Sequence, residues 1–354
     1  MSRLENLKKA LPEGCDGVLI SCEKNIRYLT SFDYTDGYVL VTRQKSYVLA
    51  DFRYIEAAKE SCSDEWNVVM LERNRSNLIN DLLAENGVKV LGFEDKTVSA
   101  YAYERLKLDF PAVEFMPVGG LVEGLREYKD EGELELIIKA QRIAEKAFDH
   151  ILGFITPELT EKEVALELEY FMRRNGAEAS AFDIIAVSGS ASSRPHGVPR
   201  DVKLERGFLT LDFGAQYEGY KSDMTRTICL GKADDDMKKM YDTVYKAQTA
   251  VLESIEYGMS LLECDKIARN IIDDAGYKGC FGHGLGHGVG MDIHEAPTLS
   301  PASGTKVLTT GHVVTVEPGI YIEGKYGVRI EDMVVCRGQK AENITVCPKN
   351  LIEL

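Results

Sequence analysis

Histidines and glycines are concentrated between Phe281 and Glu295. This segment holds three of the six histidines of the chain, His283, His287 and His294, and a glycine at every even position from 282 to 290. Imidazoles bind divalent metals and carry protons, so the segment is the first candidate for chemistry. Alternating glycines have a period of two, which predicts an extended strand that another backbone or a ligand can approach closely.

The spacing of His283 and His287 limits what the two rings can do together. On a helix, residues four apart could grip one metal ion. On a strand that rises roughly 3.3 Å per residue, the rings lie about 13 Å apart on one face. At most one of them therefore binds a given metal ion directly, and the other lines the same cleft.

Two aspartates flank a predicted hairpin in the middle of the chain. A strand-like run contains Asp212, residues 218–219 (Glu-Gly) are typical of a hairpin turn, and Asp223 follows. Folding there pairs Tyr217 with Tyr220 and brings Asp212 to within about two residues of the position opposite Asp223. Two nearby carboxylates repel each other unless positive charge lies between them. The pattern therefore favours a cation site over an ordinary solvated hairpin.

A second pair of carboxylates repeats this arrangement near the C-terminus. Glu317 ends a valine-rich run, a turn is expected near residues 323–324, and Glu331 lies in the returning strand. Four carboxylates and one imidazole in a buried cleft carry too much negative charge for one divalent ion and suit two. Oxygen-rich ligation favours Mn²⁺, with Co²⁺ or Zn²⁺ as alternatives. A two-metal site of this kind is suited to hydrolysis.

The surrounding elements predict an α/β (α+β) chain of two domains, residues 1–122 and 123–354. Short β-rich runs alternate with helical segments in the first domain, which contains no phosphate loop and no cluster of histidines, cysteines and carboxylates. The second domain contains an internal repeat, since residues 155–176 match residues 255–276. Each copy has a predicted capping box, Thr160-x-x-Glu163 or Ser260-x-x-Glu263, and a glycine after its helix. Two such halves would build a pseudo-twofold domain with a cleft between them.

The composition excludes several classes of function. The net charge of −15 argues against nucleic acid and anionic membrane surfaces as partners. No apolar run reaches the roughly 18 residues that a membrane span needs, and the N-terminus has no signal-peptide core, so a cytoplasmic protein is expected. The eight scattered cysteines are expected to be free thiols.

The segment from His283 to Glu295 resembles the signature of aminopeptidase P and prolidase. These proline-specific metallopeptidases belong to the methionine aminopeptidase/creatinase clan with the "pita-bread" fold. The resemblance covers nearly the whole chain and implies a creatinase-like N-terminal α/β domain, for oligomerisation or substrate access, followed by a pita-bread domain with a dinuclear metal site. Family members are commonly dimers or tetramers, so a homodimer is expected.

The resemblance assigns roles to individual residues. It implies that Asp212, Asp223, His287, Glu317 and Glu331 are the metal ligands, and this chooses His287 over His283. The implied catalytic residues are Glu317, as general base, and His294 and His196, which hold the substrate carbonyl. The implied substrate-binding residues are His283, Tyr321 and Arg329. His150 and His312 are interpreted as structural.

The implied reaction is attack of a metal-activated hydroxide on the carbonyl before a proline in second position. Apolar residues would select proline, with Phe182, Ile184 and Ile185 as candidates. Some prolidases have an arginine four residues after the histidine that corresponds to His294, and this chain has Thr298 there. The expected activity is therefore an Xaa-Pro aminopeptidase that acts on peptides, with Xaa-Pro dipeptidase (prolidase) as the alternative.

Three further alternatives are less consistent with the sequence. A methionine aminopeptidase usually lacks such an N-terminal domain, and a creatinase-like hydrolase works without metal. A non-catalytic binding protein on the same fold would typically have lost ligands, whereas all five are present.

Overall fold

The structure is a computed structural model that describes residues 2–354. It divides into two compact units, one that ends at Arg126 and one that runs from Glu127 to Leu354. Within the described range, no helix combines the length and apolarity that a bilayer span requires.

The first unit is a six-stranded sheet with helices. Its elements are α1 (Arg3–Ala10), β1 (Gly17–Ile20), α2 (Glu23–Thr30), β2 (Tyr38–Thr42), β3 (Ser46–Asp51), α3 (Ile55–Ser61), β4 (Asn67–Leu71), α4 (Arg75–Glu85), β5 (Val90–Phe93), α5 (Ala100–Asp109), β6 (Glu114–Pro117) and α6 (Leu121–Arg126). The strand order is β4-β3-β2-β1-β5-β6, in which β2 is antiparallel to both neighbours and the other pairs are parallel. The central strands are buried, as expected for apolar runs covered by helices.

The second unit contains two successive halves of similar order. The first half comprises α7 (Glu131–Phe154), α8 (Glu161–Arg174), β7 (Ala179–Ser180), β8 (Ile185–Ser188), β9 (Gly207–Phe213), β10 (Ala215–Tyr217), β11 (Tyr220–Lys221) and β12 (Met224–Leu230). The second half comprises α9 (Asp235–Ser254), α10 (Leu261–Ile272), β13 (Gly286–Gly288), β14 (Glu295–Leu299), β15 (Val313–Val316), β16 (Gly319–Ile322), β17 (Tyr326–Arg329), β18 (Asp332–Arg337) and β19 (Lys340–Asn343). Each half packs its two helices on its own apolar core.

The two halves begin their second helix differently. The predicted capping box is present at Thr160, whose Oγ1 accepts from the Glu163 N–H while the Glu163 carboxylate accepts from the Thr160 N–H. The box predicted at Ser260 is wrong, because that side chain makes no capping hydrogen bond. Glu263 accepts from the Lys266 ammonium instead. In both halves the first N–H of the helix, on Glu161 or Leu261, donates to a backbone carbonyl.

Both predicted hairpins form in the expected register. Tyr217 pairs with Tyr220, and in the same register Asp212 lies opposite Thr225, two residues from Asp223. The second hairpin pairs Val316 with Asp332 and Gly319 with Arg329, which places Glu317 opposite Glu331.

In each hairpin the ladder is interrupted and the strands continue into another sheet. The first changes sheet between β9 and β10 and between β11 and β12. The second changes between β15 and β16 and between β17 and β18. Asp223, Glu317 and Glu331 lie at these interruptions, where side chains can turn into the space between the sheets.

The glycine-rich segment forms a shorter strand than predicted. Only Gly286–Gly288 pairs as β13, between β14 and β15, with a bulge after His287. A Cβ on Gly286 would lie 2.0 Å from the Thr315 carbonyl oxygen, and one on Gly288 would lie 2.4 Å from that of Ala296. The predicted close approach of another backbone is therefore real at these two glycines.

His312 is a buried histidine outside the cluster of predicted site residues. Its Nδ1 accepts from the Thr309 N–H at 3.2 Å, so the ring proton is on Nε2, which lies 3.1 Å from Thr309 Oγ1 and 3.4 Å from Glu127 Oε1. Burial, reinforced by the charges of Lys129 and Lys306, lowers the pKa of His312 to about 4. The ring is therefore neutral in the folded protein at physiological pH.

His312 makes the protein sensitive to acid. Because its pKa is about 4 in the folded chain and 6.5 ordinarily, the unfolded chain takes up more protons below pH 6.5 and stability falls as the pH decreases. Between pH 7 and pH 5, wild type should lose about 2 kcal/mol more unfolding free energy than His312→Asn, which keeps an acceptor but does not titrate. Urea unfolding at both pH values measures this, and equal losses in the two proteins would contradict it.

Candidate active site

Three ligand-type side chains converge between the two halves of the second unit. One ligand atom each from Asp223, His287 and Glu331 lies within 4.8 Å of the other two. They come from three separate places in the chain: the residue before β12, the middle of β13, and the break between β17 and β18. Such convergence of a histidine and carboxylates from distant segments is typical of a metal site.

The two remaining predicted ligands adjoin this group. Glu317 Oε1 lies 3.2 Å from His287 Nε2, and Asp223 Oδ2 lies 3.6 Å from the same nitrogen. Asp212 lines the same cavity of about 540 Å³, together with Asp223, His287, Glu317 and Glu331.

The orientation of His287 suits a metal ligand. Its Nδ1 lies 3.1 Å from the carbonyl oxygen of Gly288 and donates its proton there. The proton on Nδ1 leaves the Nε2 lone pair directed at the carboxylates, the arrangement that fixes ligating histidines in metal sites.

The carboxylates of this group have unsatisfied oxygens and repel one another. Asp212 Oδ1 and Glu331 Oε1 are buried without a hydrogen-bond partner among the described residues. Burial and the neighbouring Asp212 raise the pKa of Asp223 well above its ordinary value, and burial and Asp223 do the same for the pKa of Glu331. Divalent cations would satisfy these oxygens and remove the repulsion, so the residues fit a metal centre.

When no metal cation is counted, His287 is protonated and forms an ion pair with Glu317. Burial lowers the pKa of His287, but Glu317 and Asp223 outweigh it and raise the pKa to about 9. Burial raises the pKa of Glu317, but His287 outweighs it and lowers the pKa to about 2. The carboxylates thus stabilise a positive charge in this site.

His283 belongs to a different group from His287. Its Nδ1 donates to the Gly284 carbonyl at 2.8 Å, and its Nε2 lies 3.0 Å from the Tyr321 hydroxyl. That hydroxyl accepts from Arg329 Nη1 at 2.9 Å, and Arg329 Nη2 donates to Asp212 Oδ2 at 2.6 Å. The three residues predicted to bind substrate therefore form a half-buried chain of hydrogen bonds that ends on a predicted metal ligand.

His196 and His294 both line the cavity. The His294 ring centroid is 4.1 Å from that of His287, and burial lowers the pKa of His294. The neighbouring Glu295 makes a buried ion pair with Lys129, with Oε1 and Nζ 2.5 Å apart, which anchors the turn that carries His294.

Of the predicted apolar wall residues, Phe182 and Ile185 line the cavity, whereas Ile184 lines a neighbouring groove. Two threonines that support the carboxylates were not predicted from the sequence. Thr225 Oγ1 donates to Glu331 Oε2 at 2.7 Å, and Thr315 Oγ1 donates to Glu317 Oε1 at 3.0 Å. Each lies two residues from a predicted ligand on the same strand face, which is the signal that could have found it.

The model of metallopeptidase family M24 matches residues 135–338, and that of the creatinase/prolidase N-terminal domain matches residues 3–128. The chain belongs to metallopeptidase family M24. The predicted fold, a creatinase-like domain followed by a pita-bread domain, is confirmed, and so is the prediction of a peptidase. Membership of M24 also implies divalent metal ions.

Several M24 relatives are similar over almost their whole length. An Xaa-Pro dipeptidase of Pyrococcus horikoshii is 39% identical, with 95% of this chain and 94% of that protein covered. The solved structure of an Xaa-Pro dipeptidase from Bacillus anthracis has a TM-score of 0.96 and 43% identity, with 99% of both chains covered. That of an X-Pro aminopeptidase from Thermotoga maritima has a TM-score of 0.92 and 35% identity, with 100% of both covered.

The two histidines of the glycine-rich segment should differ in a metal assay. His287→Ala removes the nitrogen directed at the carboxylates, so the purified M24 protein should lose most of its metal after loading with Mn²⁺ and desalting. His283→Ala leaves that cluster intact and should retain metal while binding substrate more weakly. Elemental analysis of both variants measures this, and full metal occupancy in His287→Ala would refute the assignment.

Proposed function

We propose that this protein is a metal-dependent peptidase that hydrolyses the bond between an N-terminal residue and a proline in second position. The observation that carries the proposal is the buried cluster of Asp223, His287 and Glu331, with Glu317 beside it, in a cavity that three further histidines line. Similar proteins named for Xaa-Pro peptides support this choice of bond.

Two divalent ions, Mn²⁺ in first place and Co²⁺ or Zn²⁺ as alternatives, would be held by the five predicted ligands. These ligands are Asp212, Asp223, His287, Glu317 and Glu331. When bound, such ions supply Lewis acidity that makes a water molecule nucleophilic near neutral pH and stabilises charge on the carbonyl oxygen. The oxygen-rich donor set supports Mn²⁺ over a thiolate-type zinc site.

Proton transfer, binding of the substrate carbonyl and contact with the proline ring fall to different side chains of the cavity. Glu317 takes the proton of the attacking water and passes it to the leaving nitrogen, and Thr315 holds its Oε1 by a hydrogen bond. His294, neutral because its pKa is lowered by burial, donates an N–H to the substrate carbonyl. His196 acts on the same side of the cavity, and Phe182 and Ile185 give the proline ring an apolar surface.

The charge of the cavity favours an Xaa-Pro aminopeptidase that accepts longer peptides. Among described residues that line it, Arg329 alone carries a guanidinium or ammonium group, and Asp212 and Tyr321 occupy that group. A dipeptide would bring its free carboxylate into a cavity that offers it no unpaired guanidinium or ammonium group, and this would weaken binding. A longer peptide places a neutral amide there.

The second candidate is an Xaa-Pro dipeptidase. The names of the similar proteins from Pyrococcus horikoshii and Bacillus anthracis favour it. In that case the carboxylate of the dipeptide is held by hydrogen-bond donors such as the cavity histidines.

Hydrolysis of three matched substrates separates the two candidates. On Mn²⁺-loaded protein, Ala-Pro-Ala and Ala-Pro-amide should be cleaved before proline with kcat/KM at least about tenfold above that of Ala-Pro, because only Ala-Pro carries a carboxylate at that point. Cleavage of Ala-Pro alone would establish the dipeptidase. Chelator should abolish activity, and Ala-Ala-Ala serves as the control for proline. No cleavage of any Xaa-Pro substrate by metal-loaded protein would overturn the proposal.

We also propose a homodimer, as the resemblance implies. Phe52, which is 84% exposed, and Met70, which is 41% exposed, line one groove of the first unit, and a contiguous exposed apolar patch can mark a protein interface. Gel filtration with light scattering should give twice 39.4 kDa. A clean monomer would refute the dimer without affecting the proposed reaction.

A further inference from the structure

His196 lies on the connection between β8 and β9, which starts with a short 3-10 helix at Gly189–Ser193. His196 is exposed, and no side chain or backbone group among residues 2–354 makes a hydrogen bond to its ring. The ring lines the cavity all the same. Its position therefore depends on how the backbone of its own segment is held.

The carboxylate of Glu161 closes the base of this segment. Glu161 is the first residue of α8 and is completely buried. Its Oε1 accepts from the Ser188 N–H at 2.7 Å, from the Ser188 hydroxyl at 2.9 Å and from Arg200 Nη2 at 2.6 Å. Its Oε2 accepts from the Arg200 N–H and from Arg200 Nε, both at 2.9 Å.

These bonds join the two ends of the segment to the Glu161 carboxylate. Ser188 is the last residue of β8, and Arg200 lies four residues after His196. Burial raises the pKa of Glu161, but Arg200 and Ser188 outweigh it and hold the pKa below its ordinary value. The clamp, which is the pair Glu161 and Arg200, is therefore charged at neutral pH.

The far side of the segment is tied to β17. The Gly327 N–H donates to Ser192 Oγ at 3.0 Å, and Arg329 Nη1 donates to the Pro195 carbonyl at 3.2 Å. His196 follows Pro195 directly. The segment that carries the histidine is therefore held by the clamp at its two ends and by Gly327 and Arg329 between them.

We propose that the clamp is a positioning pair for His196, so that Glu161 and Arg200 act on the substrate through that histidine without touching it. The proposal rests on the proposed function, because it takes His196 as a group that contacts substrate. The five hydrogen bonds that the Glu161 carboxylate accepts hold both ends of the segment that carries this histidine.

A double-mutant cycle in the full metal-loaded chain tests the coupling. Glu161→Gln should lower kcat/KM for Ala-Pro-Ala by about ten- to hundredfold, as expected when a contact group is misplaced by a fraction of its own size. In the His196→Ala background the same substitution should change kcat/KM less than about twofold, because nothing remains to be positioned. An equal loss in both backgrounds would overturn the proposal.

Two further variants calibrate the effect. Glu205→Gln is the matched control, since Glu205 Oε1 also accepts from Arg200 Nη2, at 3.2 Å, but its side chain is 45% exposed. It should leave kcat/KM within about twofold of wild type. Arg200→Lys keeps the charge but loses the paired donors, and should give a loss between those of the other two variants. A loss in Glu205→Gln as large as that in Glu161→Gln would contradict the assignment.

Hydrogen–deuterium exchange tests the clamp without depending on turnover. In Glu161→Gln, exchange should rise in residues 189–200 and stay at the wild-type rate in α7 and α9. No rise in residues 189–200, or a rise of the same size throughout the second unit, would overturn the proposal. If wild type cleaves no Xaa-Pro substrate while exchange rises as expected, the clamp holds residues 189–200 in place, but the proposed function fails and with it the role of the clamp towards substrate.

Discussion

Repulsion among buried carboxylates is the constraint on which the rest of the second unit depends. Asp212, Asp223, Glu317 and Glu331 line one cavity, and the pKa values of three of them are raised by burial and by one another. Left to themselves, such side chains would turn towards water. The scaffold must hold them inward with enough rigidity that the repulsion is relieved by a bound cation rather than by movement.

Two features of the fold meet this requirement. Each hairpin crosses from one sheet to another at its carboxylates, so that the backbone on both sides of each carboxylate is fixed by strand pairing. Neutral donors such as Thr225 then fix single oxygens, and Arg329 neutralises Asp212 from outside the cluster. Positive charge is placed around the site while its centre is kept for metal, which is how a protein makes an affinity for cations specific.

Much of the site could be predicted because its members lie in short local patterns. Glu317 and Glu331 come into register as soon as the hairpin turn is placed, and the period of two puts both on the same side. The clamp could not be predicted in this way, since Glu161 and Arg200 are separated by the rest of α8, by β7 and β8, and by a loop. The capping box predicted at Ser260 does not form, and Glu263 accepts from the Lys266 ammonium instead. The backbone bond at this helix start does not explain the difference, since Glu161 makes the same kind of bond, to the Val202 carbonyl, beside the box at Thr160. Long-range contacts between polar side chains leave little trace in one sequence.

The tight packing around β13 also bears on how this protein can change. Neither Gly286 nor Gly288 can take even a methyl group without pushing aside the backbone of a neighbouring strand. His287 is thus carried on a strand whose flanking positions are closed to every other amino acid. Substitutions that change substrate preference are therefore expected in the cavity wall around Phe182 and Ile185. A library that varied Gly286 and Gly288 would consist mainly of misfolded or metal-poor proteins.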